Sequence, residues 1–136
     1  MAEKILNDKP SYTPRPTDAE LEILTVLWSL GPATVRDVHD NLNRRKTTQY
    51  TTVLKQLQIM TEKGLVRRNE KQRAHVYEAR RSREWTQKQL AGDLLERAFG
   101  GSARSLVMGA LASKKASRAE LAEIRKLIDD FEKGTK

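Results

Sequence analysis

Apolar residues recur at the spacing of an α-helix along the first half of the chain and predict three successive helices. The first spans residues 17–30, the second opens at Thr34, and the third begins near Thr47 or Thr48 and runs to Lys63. Each of the first two starts with a threonine that is followed three residues later by an acidic side chain, which is the pattern of a capping box. Three helices of these lengths with short links are typical of a helix-turn-helix core.

Two short extended runs follow the third helix, after Gly64 in the position that favours a left-handed C-terminal residue. Residues 65–68 and 74–78 flank a polar, charged tip at residues 69–73, and this order predicts a β-hairpin. A hairpin directly after the third helix is the wing of a winged helix. We expect His75 to pack within the second strand rather than to bind a ligand.

Helical periodicity returns in the second half of the chain. It runs over residues 84–99, breaks at Gly100–Gly101, resumes over about 102–112, and ends in a helix that follows a third capping box at Ser117 and reaches Phe131. Because short helices cannot bury their apolar stripes alone, we expect them to pack against a second copy of the chain. The alternative is that they fold back on their own winged helix. The expected interface residues are Leu94, Leu95, Phe99, Leu106, Val107, Leu111, Leu121, Ile124, Leu127, Ile128 and Phe131.

These elements predict a mainly α fold, with an N-terminal winged helix-turn-helix of three helices and a β-hairpin wing, followed by a C-terminal helical dimerisation region. The expected organisation is a flexible, proline-containing N-terminal arm over residues 1–16, a winged-helix DNA-binding domain over 17–81, and a helical dimerisation domain over 82–136.

The composition narrows the chemistry. The 136 residues include no cysteine and only two histidines, which excludes disulfides and thiolate metal sites and makes a histidine-based zinc site improbable. No stretch approaches the roughly 20 apolar residues that cross a bilayer, and the N-terminus lacks the apolar core of a signal peptide. We therefore expect a cytoplasmic protein with no cofactor, no metal and no membrane partner.

Positive charge is concentrated in less than a third of the chain. The window from Arg44 to Arg83 holds 12 lysines and arginines against three acids, whereas the remainder holds 14 basic and 15 acidic residues. Such a local excess is typical of a surface that binds phosphates, so the expected partner is double-stranded DNA. A solvated basic face is the alternative.

The outward side of the third helix, near its N-terminus, is the predicted major-groove surface. Glutamine pairs with adenine edges, lysine with guanine, and threonine offers a hydroxyl together with a methyl group for thymine. The candidate recognition-helix residues are Thr47, Thr48, Gln49, Tyr50, Thr51, Thr52, Lys55 and Gln56. The wing and flanking candidates, which we assign to phosphate or minor-groove contacts, are Arg44, Arg45, Lys46, Arg67, Arg68, Lys71 and Arg73. Which recognition-helix residues contact bases and which contact phosphates stays open.

No pattern indicates an enzyme. The chain has no glycine-rich phosphate loop, no nucleophile elbow and no His-Glu-x-x-His helix, which are the motifs that would carry such chemistry. Asp129 and Asp130 are neighbours on a helix and point in different directions, so they do not form an acid/base pair.

Several segments in order resemble the BlaI/MecI/CopY family of bacterial repressors, over residues 17–131. These segments are Leu27-Trp28, Tyr50-Thr51-Thr52-Val53, Lys63-Gly64-Leu65-Val66, Arg73-Ala74-His75-Val76-Tyr77, and Phe99-Gly100-Gly101-Ser102 followed by Leu106-Val107. The resemblance implies a homodimeric repressor, similar to those of β-lactam resistance genes, that binds palindromic operators through its winged helices and dimerises through its C-terminal helices.

The resemblance also bears on regulation. In the antibiotic-resistance members, repression ends when the dimerisation region is cut at an Asn-Phe pair, in a process linked to a membrane sensor protease. The matching stretch here, residues 106–111, lacks that pair. The C-terminal cysteine motif of the copper-responsive members is also missing.

Two other functions stay open at this point. A winged helix can serve as a protein-interaction module, in which case the basic stretch is only solvated. A regulator of this kind can also sense a small molecule directly in its helical half. The operator, the target genes and the inducing signal are not encoded in any pattern of the sequence.

Overall fold

The computed structural model describes residues 15–71 and 73–134, and within them the chain forms six α-helices and three short β-strands. These elements are α1 (Asp18–Leu30), β1 (Ala33–Thr34), α2 (Val35–Asn43), α3 (Tyr50–Lys63), β2 (Val66–Asn69), β3 (Val76–Ala79), α4 (Arg83–Phe99), α5 (Ala103–Ser113) and α6 (Arg118–Gly134). The chain divides into two compact units, unit 1 over residues 1–90 and unit 2 over residues 91–136. The predicted N-terminal arm lies outside the described residues except for positions 15 and 16.

The first two helices begin at the capping boxes that the sequence predicts. At α1 the backbone N–H of Glu20 donates to Thr17 Oγ1 at 3.2 Å, and the Glu20 carboxylate accepts from the Thr17 N–H at 2.9 Å. Thr34 and Asp37 form the same reciprocal pair at α2. Each box provides an acceptor for two backbone N–H groups that would otherwise have no partner at the start of the helix.

The third helix starts later than the sequence predicts. Its first helical residue is Tyr50, and Gln49 is the N-cap without a side-chain capping bond, so the expected start near Thr47 or Thr48 is wrong. Those two threonines belong to the α2–α3 turn. The end of the helix is as predicted, because Gly64 has φ 84° and ψ 16°, a left-handed conformation that favours glycine.

The wing forms part of a three-stranded antiparallel sheet with the strand order β1-β3-β2. The hairpin of β2 and β3 is the predicted one, shifted by one or two residues. The sequence did not predict β1, which pairs Ala33 with Tyr77 and Thr34 with Val76. A strand of two residues has no periodicity to detect, so only its pairing with β3 defines it. His75 is exposed and precedes β3, so the expectation that it packs within the strand is wrong.

The core of unit 1 lies between α1, α2, α3 and the inner face of the sheet. Val38, Leu57 and Met60 are completely buried, and Tyr77 reaches this core from the central strand. The other buried hydrophobic residues are Ile23, Leu24, Val26, Leu27, Ala33, Val35, Leu42, Val53, Leu65 and Val66. Burial of this kind on every element fixes the outward faces of α3 and the wing.

One buried charge belongs to this core. The Glu20 side chain is 2% exposed and accepts a hydrogen bond of 2.8 Å from the Lys63 ammonium, which joins the start of α1 to the end of α3. Burial by itself raises the pKa of Glu20. The hydrogen bonds from Lys63 and Thr17 outweigh this effect, so the pKa lies below its ordinary value.

The first turns of α4 belong to unit 1. The indole N–H of Trp28 donates to the Arg81 carbonyl at 3.0 Å, and the Arg83 guanidinium lies 5.8 Å from the centre of the Trp28 ring. Thr86, one turn further along α4, is buried. These contacts fix the segment that leaves the sheet against the end of α1.

Unit 2 contains the rest of α4 together with α5 and α6. Gly100 and Gly101 have φ values of 55° and 82° and end α4 as predicted. α5 opens at Ser102, whose hydroxyl accepts from the Ser105 N–H, and the Ser117 hydroxyl accepts from the Glu120 N–H at the start of α6. α6 continues to Gly134, past its predicted end at Phe131. Within the described part of unit 2 no residue is buried.

Candidate nucleic-acid interface

The predicted recognition residues on α3 face outward. Val53, Leu57 and Met60 point into the core, and this anchors the helix by one side. Because the buried residues recur every three or four positions, the residues between them are turned away from the core. Thr51 and Lys55 lie opposite the buried side, and Tyr50 and Thr52 are exposed at its two edges. Gln56 is half-buried and lines a groove against α1 together with Gln49 and Thr52.

The α2–α3 turn is held by two side chains of α2. His39 Nε2 lies 2.7 Å from the Thr48 carbonyl oxygen, and the Thr48 N–H donates to Asn43 Oδ1 at 2.9 Å. A carbonyl oxygen can only accept, so Nε2 of His39 donates in this hydrogen bond. The Thr48 hydroxyl donates to the Lys46 carbonyl at 2.8 Å. These bonds set where α3 begins and leave Thr47 as the exposed threonine of the turn.

Tyr50, the first residue of α3, presents an aromatic ring that is 42% exposed. The edge of His39 meets it at 5.8 Å between ring centres, and the Arg36 guanidinium lies 5.9 Å from the ring centre. A cation at that distance interacts with the ring face. Sequence reasoning did not select Arg36 or His39, because both lie outside the basic window and neither belongs to α3.

Two of the predicted phosphate-binding arginines have carboxylate partners within the wing. Arg67 lies 3.5 Å from Glu78, its cross-strand neighbour, and Arg68 pairs with Glu70. The hydrogen bonds of Arg68 with the Tyr77 hydroxyl and with Glu70 raise the pKa of its guanidinium. Sequence reasoning did not find the pair of Arg67 and Glu78, since that pair depends on the register of the hairpin.

The remaining basic candidates are exposed. Lys71 and Arg73 lie at the tip of the wing, and the candidates Arg44, Arg45 and Lys46 follow α2 at the opposite end of the α2–α3 turn from Tyr50. Gln72 lies outside the described residues.

Two concave surfaces adjoin the wing. The outer wing surface is formed by Arg67, Arg68, Asn69, Glu70, Lys71 and Glu78 and contains both wing carboxylates. The helix–wing cleft is formed by Thr34, Val35, Arg36, Tyr50, Leu54, Arg73, Ala74, His75 and Tyr77. No aspartate or glutamate is among the described residues that line this cleft. The two surfaces therefore differ in the charge that they offer to an anion.

The predicted dimerisation residues lie on α4, α5 and α6, and most of them are accessible in the single chain. Ile128 is 53% exposed and Phe131 is 73% exposed. Leu94, Val107, Leu111 and Leu127 are also exposed. The half-buried members are Leu95, Phe99, Leu106, Leu121 and Ile124.

The described residues contain no helix with the length and apolar character needed to cross a membrane. They also contain no group of histidine and acidic side chains placed to hold a metal ion.

Comparison with known proteins assigns the family. Residues 16–130 match the family model described as penicillinase repressor. The transcriptional regulator BlaI of Mycobacterium tuberculosis is 43% identical over 61 residues, which are 44% of this chain and 44% of that protein. The penicillinase repressor of Bacillus licheniformis is 23% identical over 117 residues, covering 86% of this chain and 91% of that protein.

The alignment with the Mycobacterium tuberculosis regulator thus spans less than half of that relative. A solution structure of the DNA-binding domain of the repressor BlaI is matched with a TM-score of 0.48 and 25% identity, over 53% of this chain and 88% of that chain. The family is named for repression and not for a catalysed reaction. Since the family model covers most of the sequence, the chain belongs to the penicillinase repressor family.

Proposed function

We propose that this protein is a sequence-specific transcriptional repressor that binds duplex DNA as a homodimer in the cytoplasm. The observation that carries the proposal is the outer side of α3, which is polar, exposed and anchored from behind by Val53, Leu57 and Met60. A helix held in this way fits the major groove of B-DNA, where base edges are distinguishable. Membership in a family named for repression supports the same function.

The proposal divides the contacts between two kinds of residue. Gln49, Thr52 and Lys55 on or beside the outer side of α3 contact base edges, and the neighbouring Thr47, Thr48, Tyr50, Thr51 and Gln56 complete the recognition surface. Lys71 and Arg73 at the wing tip, with Arg67 and Arg68 on β2 and Arg44, Arg45 and Lys46 after α2, contact phosphates or the minor groove. Phosphate contacts set the position of the helix, and base contacts provide the specificity.

Dimerisation through unit 2 completes the proposal. One winged helix reads too few base pairs to select a site in a genome, whereas two copies related by a two-fold axis read two half-sites. The apolar side chains of α6 provide a surface for the second copy, because the half-buried Leu121 and Ile124 and the exposed Ile128 and Phe131 recur at helical spacing. The operator is accordingly a palindrome. In this proposal a functional boundary at residues 81–82 separates the DNA-binding and dimerisation regions.

Cleavage by a sensor protease at an Asn-Phe pair of the dimerisation region is not part of the proposed function. The residues that would correspond to the scissile region, 106–111, lie inside α5 and lack the Asn-Phe pair. Release from DNA in this protein therefore requires a different signal or a different cut.

The test is DNA selection from a random pool with the full chain, followed by titration of the selected duplex against salt. We expect a recurring sequence to be enriched and its affinity to fall steeply with salt, because each neutralised phosphate releases counterions. A protein-interaction module with a merely solvated basic face would enrich no sequence and would bind DNA weakly at every salt concentration.

A further inference from the structure

We propose that the helix–wing cleft binds one phosphate of the DNA backbone between Arg36 and Arg73, beside the ring of Tyr50. This inference rests on the proposed DNA binding and adds a residue of α2 to the interface. It also distinguishes the arginines near the wing: those of the cleft have no carboxylate partner among the described residues, whereas Arg67 and Arg68 on the outer wing surface each have one.

The arginines of the cleft and those of the outer wing surface differ in their partners. Arg67 and Arg68 are paired with Glu78 and Glu70. Arg36 and Arg73 have no ion-pair partner among residues 15–71 and 73–134. A phosphate that approaches Arg67 or Arg68 competes with a carboxylate, whereas one that approaches Arg36 or Arg73 meets no carboxylate partner among the described residues. The unpaired arginines therefore gain more from a phosphate contact.

The described lining of the helix–wing cleft combines basic side chains with an absence of acidic ones. Arg36 from α2 and Arg73 from the wing line the same cleft, together with His75, and the volume of the cleft is about 380 Å³. Each polar side chain of this lining is basic or carries a hydroxyl, and none is acidic. Such a surface attracts an anion from two sides. Guanidinium groups suit this task, since their planar donors match the geometry of phosphate oxygens.

The Arg36 side chain is held against the first residue of α3. Its guanidinium lies over the ring of Tyr50, and the other neighbour of that ring, His39, is bonded to the Thr48 carbonyl. Stacking on an aromatic ring restricts the arginine side chain, so less conformational entropy is lost when the phosphate binds. Because Tyr50 is the first residue of α3, a phosphate in the cleft also fixes the depth of the recognition helix in the groove.

The test measures binding of the full chain to a random-sequence duplex of about 30 base pairs, nearly three helical turns, over a range of salt concentrations. A random sequence suffices because a phosphate contact is independent of the bases. The variants are Arg36→Ala, Arg36→Lys, Arg73→Ala and the double variant of Arg36→Ala with Arg73→Ala. Lys88→Ala is the matched control, because it removes an exposed cation of unit 1 that does not line the cleft. Circular dichroism verifies that each variant is folded.

Because the proposed dimer carries one cleft in each copy, arginines that share one phosphate per cleft predict that the double variant loses about 1.8 per dimer in the slope of log affinity against log salt, which is about 0.9 per copy. Each single alanine variant loses a part of it, while Arg36→Lys and Lys88→Ala keep the wild-type slope. A wild-type slope for Arg36→Ala, with salt-dependent binding of the parent protein intact, overturns the cleft and leaves the proposed function standing. A loss of about 3.6 per dimer in the double variant, equal to two contacts in each copy, overturns the shared site. Salt-independent binding by the parent protein overturns both.

Discussion

Units 1 and 2 bury their apolar residues to very different degrees. Unit 1 closes a core of buried aliphatic side chains around Leu57 and Tyr77, whereas the described part of unit 2 buries none and exposes Leu127, Ile128 and Phe131. A short helix that leaves an apolar stripe exposed to water is not stable by itself. The comparison indicates that unit 1 is stabilised by its own packing, and it supports the proposal that unit 2 is stabilised by a second copy of the chain.

The largest effect is expected from a charge placed on the apolar face of unit 2. Ile128→Asp would bury an uncompensated carboxylate in the proposed interface, at a cost of about 3–5 kcal/mol. Since about 1.4 kcal/mol corresponds to a tenfold change in affinity, dimerisation should be more than a hundredfold weaker. Sedimentation equilibrium should show a monomer.

Lys126→Asp is the control for that variant, since it introduces the same side chain on α6 at an exposed polar position. It should stay dimeric. A dimeric Ile128→Asp protein would place the interface elsewhere and remove the main distinction between the two units.

A second experiment compares one truncation in each unit. Leu57→Ala, in the closed core where Leu57 is 0% exposed, should lower the free energy of unfolding of unit 1 by about 2–5 kcal/mol. Leu127→Ala should instead lower the free energy of unfolding by an amount that depends on protein concentration, because the lost contact lies between two copies of the chain. Urea unfolding at two protein concentrations separates these results, and a concentration-independent loss for Leu127→Ala would mean that this side chain packs within its own chain.

The ion pair of Glu20 and Lys63 should make the stability of unit 1 dependent on pH. Since the folded pKa of Glu20 lies below its ordinary value of 4.5, its stabilisation is complete above that pH and is lost as the pH falls towards the folded value. Glu20→Gln keeps a capping amide but removes the charge, so it should cost about 1–3 kcal/mol near neutrality, towards the lower end because Lys63 is 34% exposed.

The measurement is chemical unfolding between pH 7 and the acid limit of folding, with Glu22→Gln as the control, an exposed carboxylate on the same helix. The difference between the parent protein and Glu20→Gln should shrink on acidification, whereas Glu22→Gln should follow the parent. A difference that grows towards acid pH would reverse the assigned direction of the pKa shift.

Local signals explain why the helices of unit 1 could be predicted from the sequence. The capping boxes at Thr17 and Thr34 and the left-handed Gly64 are short-range patterns, and each forms as expected. The start of α3 could not be located in this way, because His39 and Asn43 of another helix decide it through their bonds to Thr48. Contacts between elements leave no periodicity in the sequence.

The candidate site shows the same limit. The outward residues of α3 follow from the periodicity of its buried side: Tyr50, Thr51, Thr52 and Lys55 are exposed, whereas Gln56 is half-buried. Arg36 lies in a part of the chain with more acids than bases, so counting charge could not select it. Only the fold brings it to Tyr50. The pairing of Arg67 with Glu78 likewise depends on hairpin register, which a composition window does not contain.

The smallest predicted effect concerns the carboxylate at the wing tip. Glu70→Gln frees Arg68 from its partner, and we expect DNA binding to strengthen by about 0.2–1 kcal/mol, the range for exposed ion pairs. Glu84→Gln removes the same charge from an exposed position on α4 and serves as the control. Fluorescence anisotropy with a random duplex measures both, and equal gains in the two variants would show a general effect of net charge.

The central claim, that two winged helices joined through unit 2 bind one palindromic site, is tested most directly by changing the spacing of that site. A gel shift at fixed salt compares the selected operator with versions that carry about half a helical turn or about one full turn, roughly 10 base pairs, between its halves. Half a turn moves one half-site to the opposite face of the DNA, so tight binding should be lost, and the full turn should restore part of it. Equal affinity for the half-turn insertion and the intact operator would contradict the dimeric account.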